Sequence, residues 1–410
     1  MEHSRDRIIL YGAAFLRATA TGMVAVLLGI HLARLGFDPA AIGGVVAAGL
    51  SGAAAAALLT TLAGDRAGRR LVLTVLALAA ALGTGIVAFA SDPALIGFAA
   101  FFGMLNGMGR DRGASMILDQ VVLPATTTDR RRTAAFAKYN IAQDAGHALG
   151  SLLAGLPMLL RSVFPIGETE SLRFGILATA GMLLLTAILY RGLSPAVEAE
   201  DGRRKRELSP SSRRVVTRIS ALFALDGVGG GFLTTALLSF FFYARFGVGE
   251  GVIGALFFGA RVMNAFSHLG AAWLARRIGL VNTMVFTHIP SSLLLVTVTI
   301  APSFAVAAAL FLLREGLVEM DVPTRQSYVM AVVAPEERTV ASGITHLVRL
   351  GAWAVAPAFA GFLMRGGSIA APLWVGAGMK IGYDVLLYRA FRSVRPPEER
   401  AEPVLTATKQ

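Results

Sequence analysis

Residues 71–90 read LVLTVLALAAALGTGIVAFA, a run of twenty residues without a single charge. At about 1.5 Å of rise per residue, a helix of this length crosses the roughly 30 Å hydrocarbon core of a bilayer. The run directly follows Arg69 and Arg70. Basic residues beside an apolar run are typical of the cytoplasmic end of a membrane span. Residues 71–90 therefore predict a transmembrane α-helix.

The rest of the chain has the same character. Its 410 residues are 55% hydrophobic and 16% charged, whereas soluble domains carry about 25% charged residues. Dividing the apolar windows at charge clusters predicts an all-α polytopic membrane protein with twelve spans. The predicted spans lie near residues 8–35, 40–63, 71–90, 94–122, 133–160, 172–190, 216–243, 252–273, 281–300, 304–333, 340–364 and 369–388.

The basic residues indicate the orientation of these spans. The net charge is +12, and arginine and lysine cluster in alternate loops, such as 66–70, 130–132 and 203–214. By the positive-inside rule, we expect a multi-pass protein of the inner (cytoplasmic) membrane with both termini in the cytoplasm. This distribution also argues against nucleic acid as a partner. The absence of cysteine excludes disulfides and thiolate ligands.

The chain divides into two similar halves. We predict an N-terminal six-helix half at 1–193, a cytoplasmic linker at 194–214, a C-terminal six-helix half at 215–392 and a cytoplasmic tail at 393–410. A shift of 206 residues places Gln120 on Gln326 and Arg132 on Arg338. Parallel halves around a site at the membrane midplane are one known plan of transporters.

The loop after the second span reads TLAGDRAGRR over residues 61–70. It resembles the signature loop between helices 2 and 3 of the major facilitator superfamily, roughly G-x-x-x-D-R-x-G-R-R, with Thr61 in place of the leading glycine. The resemblance implies two pseudo-symmetric six-helix bundles around a central cavity, and transport by alternating access. It also implies a gate motif. The gate residues would be Asp65, Arg66, Gly68, Arg69 and Arg70.

A second motif occurs at the end of the fifth span. Residues 146–155, GHALGSLLAG, resemble the superfamily's antiporter motif G-x-x-x-G-P-x-x-G-G, with Ser151 for proline and Ala154 for glycine. The resemblance favours export by antiport. The same small residues also permit close helix packing in any membrane protein. Both interpretations stay open at the level of sequence.

Polar residues inside the spans are the candidates for a substrate and proton pathway, because ionisable groups in the bilayer tend to face a cavity or a partner. The resemblance implies that helices 1, 4, 7 and 10 line the cavity. Those helices carry Arg17, Asn106, Arg110, Asp111, Arg112, Asp226, Arg314, Glu315, Glu319, Asp321 and Arg325. On span 5, the spacing of Asn140, Gln143, Asp144 and His147 puts all four on one helical face. Their counterparts on span 11 include His346 and Arg349. The alternative is a set of interhelical hydrogen bonds that only hold the bundle together.

Specific pairings follow from the spacing. We expect Arg17 to approach Asp226 across the cavity, since they hold comparable positions in the two halves. We expect Lys380 to pair with Asp384 one turn away. Arg314 or a shared proton should relieve the repulsion between Glu315 and Glu319. Asp226 is the favoured proton carrier, ahead of Asp111 and Asp144.

The sequence also argues against several activities. No G-x-x-x-x-G-K-[ST] loop is present, the six histidines are scattered, and no catalytic constellation stands out, so we expect no enzyme, no cofactor and no metal site. We predict a monomeric secondary active transporter that moves a small-molecule substrate through the lipid bilayer by proton-coupled efflux, with H⁺ as the coupling ion. The alternative is proton-coupled uptake of an anionic small molecule, suggested by Arg17, Arg110, Arg112 and Arg349. Divalent metal transport and a non-transport scaffold are distant alternatives.

Overall fold

The computed structural model describes residues 2–111, 113–127, 132–198, 209–320 and 337–391. These residues form fifteen α-helices, one short 3₁₀ helix and no strand. The helices are α1 (Glu2–Arg34), α2 (Pro39–Ala67), α3 (Arg69–Phe89), α4 (Pro93–Phe102), α5 (Ala114–Ala125), α6 (Arg132–Leu153), α7 (Leu156–Val163), α8 (Glu168–Arg191), α9 (Pro210–Gly231), α10 (Thr235–Phe246), α11 (Glu250–Ile278), α12 (Leu280–Thr299), α13 (Phe304–Val318), α14 (Arg338–Gly366) and α15 (Ala371–Phe391).

These helices follow the twelve predicted spans in order, with α4–α5, α6–α7 and α9–α10 each forming one span in two pieces. Seven helical segments within the described ranges are long and apolar enough to cross a membrane. One of them, Ser212–Phe246, joins α9 to α10. The prediction of an all-α multi-pass membrane protein is confirmed.

The fourth span differs from its prediction as one continuous helix. Helix α4 ends at Phe102 and α5 begins at Ala114, so the chain leaves helical geometry about 15 Å into the span. Four glycines lie between residues 103 and 113. Glycine weakens a helix interior by about 0.5–1 kcal/mol relative to alanine. Gly109 has φ +74°, in the left-handed region that glycine adopts without strain. We call residues 103–113 the span-4 break.

The seventh span is interrupted in a similar way, between Gly231 and Thr235. Three consecutive glycines end α9 at this point. Helix α10 then starts with its own cap, because the hydroxyl of Thr234 accepts a hydrogen bond from the Leu237 amide at 3.3 Å. Spans 4 and 7 therefore both carry a non-helical stretch within the membrane.

Small residues bring the helices close together. Helix α6 packs along α1, where a Cβ on Gly146 would lie 2.5 Å from the Phe15 carbonyl oxygen. Gly150 faces the Thr19 carbonyl in the same way. These two glycines belong to the stretch that resembles the antiporter motif, and the structure gives them a helix-packing role.

Salt bridges join the two halves at the end of the bundle that lies opposite the start of α1. Arg161 on α7 pairs with Glu250 at the start of α11. Arg365 on α14 pairs with Asp38 before α2, at 3.3 Å. The pKa of Asp38 is lowered, because its carboxylate accepts the Ala41 amide and lies beside Arg365.

At the opposite end of the bundle, glutamate carboxylates accept hydrogen bonds near both ends of the predicted linker. Glu198 accepts the amide of Arg69 at 2.6 Å and that of Arg70 at 3.3 Å, which caps the start of α3. Glu337 accepts the Ser209 amide at 2.7 Å. The pKa of Glu337 is lowered by hydrogen bonds from Ser212 and Ser209. Both sides of the linker are thus tied to the transmembrane bundle.

Candidate functional site

The main cavity lies between the halves, bordered by α2, the span-4 break and the helices of the second half. It encloses about 1100 Å³, counting the part open to solvent. Its charged lining residues are Arg110, Arg261, Arg314, Arg349, Lys380, Glu315 and Glu319. Phe257, Phe311 and Trp353 contribute aromatic surface. The cavity therefore combines apolar walls with an unusual density of buried charge.

Both glutamates of the main cavity already have an arginine partner. Arg110 donates to Glu319 at 3.1 Å and to the Asn264 side-chain oxygen at 2.6 Å. Arg314 pairs with Glu315, as expected from the sequence. Each glutamate is thus neutralised by a different arginine, which removes their mutual repulsion.

Arg261 on α11 has a different environment. Its guanidinium donates to the Gly109 carbonyl at 3.1 Å, and within the described ranges it forms no ion pair with a carboxylate at 4 Å or less. Its Nε atom is buried without a hydrogen-bond partner. Arg261 is not among the residues predicted from the sequence, although an arginine inside the apolar span 252–273 is the signal that singled out Arg17.

Asp226 lies at the centre of a second cluster. Its side chain is 1% exposed and accepts from Arg349 at 2.8 Å and from Lys380 at 2.9 Å. All three residues belong to the C-terminal half. The expected contact between Arg17 and Asp226 is wrong, because each residue has its partners within its own half.

The expected pair of Lys380 and Asp384 is also wrong. His288 on α12 stands between them, with Nε2 at 3.4 Å from the Lys380 amine and Nδ1 at 3.0 Å from Asp384. An ammonium can only donate, so Nε2 is the acceptor and Nδ1 carries the proton that binds Asp384. Helical spacing allowed a direct pair, but the side chain of a third helix takes the intervening place.

The third cluster is in the N-terminal half and centres on Arg17. Its guanidinium contacts Asp111 at 2.5 Å and Asp119 at 2.9 Å, and it donates to the hydroxyl of Tyr190. Tyr139 donates to Asp119 at 2.9 Å. Arg17 and Asp111 line a second cavity of about 650 Å³, which shares Ala53, Asn106 and Gly113 with the main cavity.

The span-4 break separates the two cavities and is held mainly by the opposite half. Its backbone carbonyls at Gly107, Met108 and Gly109 accept hydrogen bonds from the Ala236 amide, the Thr235 hydroxyl and Arg261, at 3.0, 2.9 and 3.1 Å. Non-helical backbone inside a membrane requires such partners. The side chain of Asn106 closes the loop locally, donating to the Arg110 carbonyl at 2.7 Å.

Comparison with known proteins settles the family. A family model described as Major Facilitator Superfamily matches residues 10–357, well over half of the chain. The chain belongs to the major facilitator superfamily. It is therefore a membrane transporter.

Known relatives of this superfamily member are distant in sequence. The uncharacterized membrane protein YJR124C of Saccharomyces cerevisiae is 23% identical over 427 residues, with 95% of each chain covered. The solved nucleoside transporter NupG is 14% identical, with a TM-score of 0.73 and coverage of 94% of this chain and 99% of that one. The human organic anion transporter MFSD10 is 16% identical, with a TM-score of 0.61 and coverage of 94% and 100%. Both solved structures share its fold.

The four polar residues predicted on one face of span 5 lie in two different environments in this transporter. Gln143 and His147 are buried against Asp111: Gln143 donates to its carboxylate at 3.4 Å, and His147 Nε2 accepts its backbone amide at 2.7 Å. Asn140 and Asp144 are exposed. The helical period placed the four residues on one side of α6, but that side spans both a packed interface and an open surface.

The remaining predicted pathway residues lie partly outside the described ranges. Arg112, Asp321 and Arg325 are such residues. On α14, Arg349, Leu350 and Trp353 line the main cavity. His346 is half-buried one turn earlier and does not line it.

The gate motif of the superfamily lies where α2 meets α3. Gly68 has φ +90°, which makes the turn, and Arg69 and Arg70 donate their amides to Glu198. Arg66 is exposed, and the side chain of Asp65 lies outside the described part. The sequence did not predict the role of Glu198, since only the fold brings a residue 129 positions away to this loop.

Proposed function

We propose that this transporter carries a small organic anion together with protons by alternating access. It would do so as a monomer in the cytoplasmic membrane, with both termini in the cytoplasm. The observation that carries the proposal is Arg261, a cation on the wall of the main cavity with no carboxylate partner in the described part of the chain. A bound anion would supply that partner.

The charge of the whole cavity supports the same substrate class. Its five cationic side chains face Glu315, Glu319 and the adjoining Asp226. Among the described side chains that line the cavity itself, five cations therefore exceed two carboxylates. Uncompensated charge in a low-dielectric interior costs several kcal/mol, and a carboxylate or similar group of the substrate would offset it. Arginine binds such groups through two parallel hydrogen bonds.

The aromatic walls support an organic rather than an inorganic anion. Phe257, Phe311 and Trp353 offer apolar surface opposite the cations. Ligand sites commonly combine such walls with a few polar groups that fix orientation. At 14–16% identity, the solved relatives show only the fold, so the substrate class rests on these side chains.

Symport follows from the charge of the substrate. An anion that crosses with at least one proton moves less net charge through the bilayer, which lowers the electrostatic cost of transfer. The sequence favoured efflux by antiport because of the glycines near Gly150, but these glycines pack against α1. The charge of the cavity supports symport with H⁺, and we propose uptake as its direction.

A thermal-shift screen of the purified protein tests the substrate class. The probes are mono- and dicarboxylic acids, aliphatic and aromatic, each paired with its uncharged amide. We expect some acids, and not their amides, to raise Tm, because only the acids compensate Arg261. In Arg261→Gln the shift should be lost, whereas Arg277→Gln, which alters an exposed arginine on the same helix, should retain it.

Proteoliposomes with an imposed pH gradient then test coupling for the acid that shifts Tm most. Accumulation on the alkaline side is expected for symport, and accumulation on the acidic side would establish antiport instead. Amides that stabilise the protein as strongly as their acids would reject the anionic substrate class.

A further inference from the structure

We propose that Asp111 and Asp119, bridged by Arg17, form the proton-binding site of this transporter. The inference rests on the proposed proton coupling and adds the site to it. It replaces Asp226, the carrier that the sequence favoured, with a pair of carboxylates in the other half.

The buried charges around Arg17 do not balance. One guanidinium contacts two carboxylates, at 2.5 and 2.9 Å, and these three side chains are at most 7% exposed. Among the residues that the structure describes, no other cation lies within ion-pair distance of either carboxylate. With both acids ionised, the cluster would carry one surplus negative charge in a low-dielectric interior. Protonation of one carboxylate removes that charge.

The surrounding groups supply no positive charge. His147 accepts the Asp111 amide at Nε2, so this nitrogen carries no proton and the ring is neutral. Gln143 on α6 is an amide. Tyr139 on α6 and Tyr190 on α8 offer hydroxyls. Together with Arg17 on α1, these are the side chains in the described part of the chain that hydrogen-bond the two carboxylates or the Asp111 amide.

A proton fits this site better than a metal ion. The guanidinium of Arg17 occupies the space between the carboxylates, where a metal ion would need to bind oxygens from both. A proton forms one O–H bond on a carboxylate oxygen, and no other covalent bond changes.

The contacts distinguish the roles of the two acids. Asp119 is fully buried and receives hydrogen bonds from Arg17, Tyr139 and Tyr190. These three donors satisfy its carboxylate oxygens. Asp111 lines the second cavity, and Arg17 and Gln143 both reach the same one of its oxygens, Oδ2. A proton from the second cavity therefore reaches Asp111 first, while Asp119 holds Arg17 in place.

The position of Asp111 connects this site to the main cavity. Asp111 lies in the span-4 break, where the Gly109 carbonyl accepts a hydrogen bond from Arg261 and Arg110 pairs with Glu319. A change in the contact between Asp111 and Arg17 would therefore act on a segment that also positions two cations of the main cavity.

Asp226 lacks the charge surplus that would require a proton. It contacts two cations, Arg349 and Lys380, and its carboxylate is stabilised in the ionised form by both. The C-terminal half therefore offers a matched comparison, an equally buried aspartate that contacts two cations where Asp111 and Asp119 share one.

Infrared difference spectroscopy between acidic and alkaline pH tests the site on the purified protein without any substrate. A protonated carboxylic acid has a C=O stretching band that the ionised form lacks. We expect such a band in the wild type. Asp111→Asn and Asp119→Asn should each abolish it, because the remaining carboxylate is then balanced by Arg17. Asp144→Asn should leave it in place, and so should Asp226→Asn at a temperature at which that less stable variant is still folded.

A complementary variant removes the cation and keeps both acids. In Arg17→Gln both carboxylates lose their cation, so the band should grow about twofold. A band that survives both Asp111→Asn and Asp119→Asn, or that is unchanged in Arg17→Gln, would overturn the proposal. Loss of the band in folded Asp226→Asn would overturn it as well. Suppression of the band by sodium chloride but not by choline chloride would assign the site to Na⁺ instead. Failure of this test with carboxylic acids still raising Tm would reject the proton site and leave the anion site standing.

Discussion

At the scale of single residues, Asp226 compensates two cations at once. Asp226→Asn would leave Arg349 and Lys380 buried without their shared carboxylate, and removing one partner of a buried ion pair costs about 3–5 kcal/mol. We expect a large fall in stability by thermal unfolding in detergent.

A second substitution separates charge from packing in this cluster. Asp226→Asn combined with Lys380→Gln removes one of the stranded cations, so the double variant should recover part of the loss. Strictly additive costs would show that the residues act independently and would contradict the ion-pair explanation.

The same residues show how far residue-level prediction reaches. A charge inside an apolar run identified Arg17, Asp226, Arg314 and Arg349 as buried or lining a cavity. The choice of partners was beyond the sequence, because His288 and Tyr190 enter the clusters from distant helices. Helical spacing relates residues on one helix, whereas these contacts depend on how several helices pack.

At the scale of helices, the contact between α1 and α6 depends on the absence of side chains. Gly150→Ala would place a methyl group against the Thr19 carbonyl, and overpacking of this kind costs about 1–3 kcal/mol. We expect a lower Tm for this variant. Gly181→Ala on α8 is the matched control, since nothing lies within 4 Å of its added Cβ. Equal Tm values for the two variants would remove the packing role.

Helix positions could be predicted from hydropathy, but helix continuity could not. Residues 94–122 are apolar enough to be read as one span, and their glycines alone did not show that the helix stops at Phe102. The break is stable because Ala236 and Arg261 bind its carbonyls. Hydrogen bonds to the backbone from such distant residues cannot be predicted from a local window of sequence.

At the scale of the whole molecule, the orientation of the bundle is directly testable. The chain has no cysteine, so a single introduced cysteine is the only thiol of this chain that can react. We expect a membrane-impermeant maleimide to label Ser91→Cys, in the exposed loop between α3 and α4, on intact cells. Ala67→Cys, exposed at the other end of the bundle, should react only after permeabilisation. The reverse pattern would place the termini outside.

The span-4 break also has a consequence for biogenesis. Gly109 leaves the ribosome 152 residues before Arg261, the side chain that binds its carbonyl. At about 5–20 residues per second, translation takes roughly 8–30 s to cover that distance. During this interval the nascent N-terminal half sits in the bilayer with an unsatisfied stretch of backbone in span 4. A chaperone, lipid headgroups or water must supply its hydrogen bonds until α10 and α11 are inserted. A truncated chain that ends before α10 should therefore be a preferred target of membrane quality control.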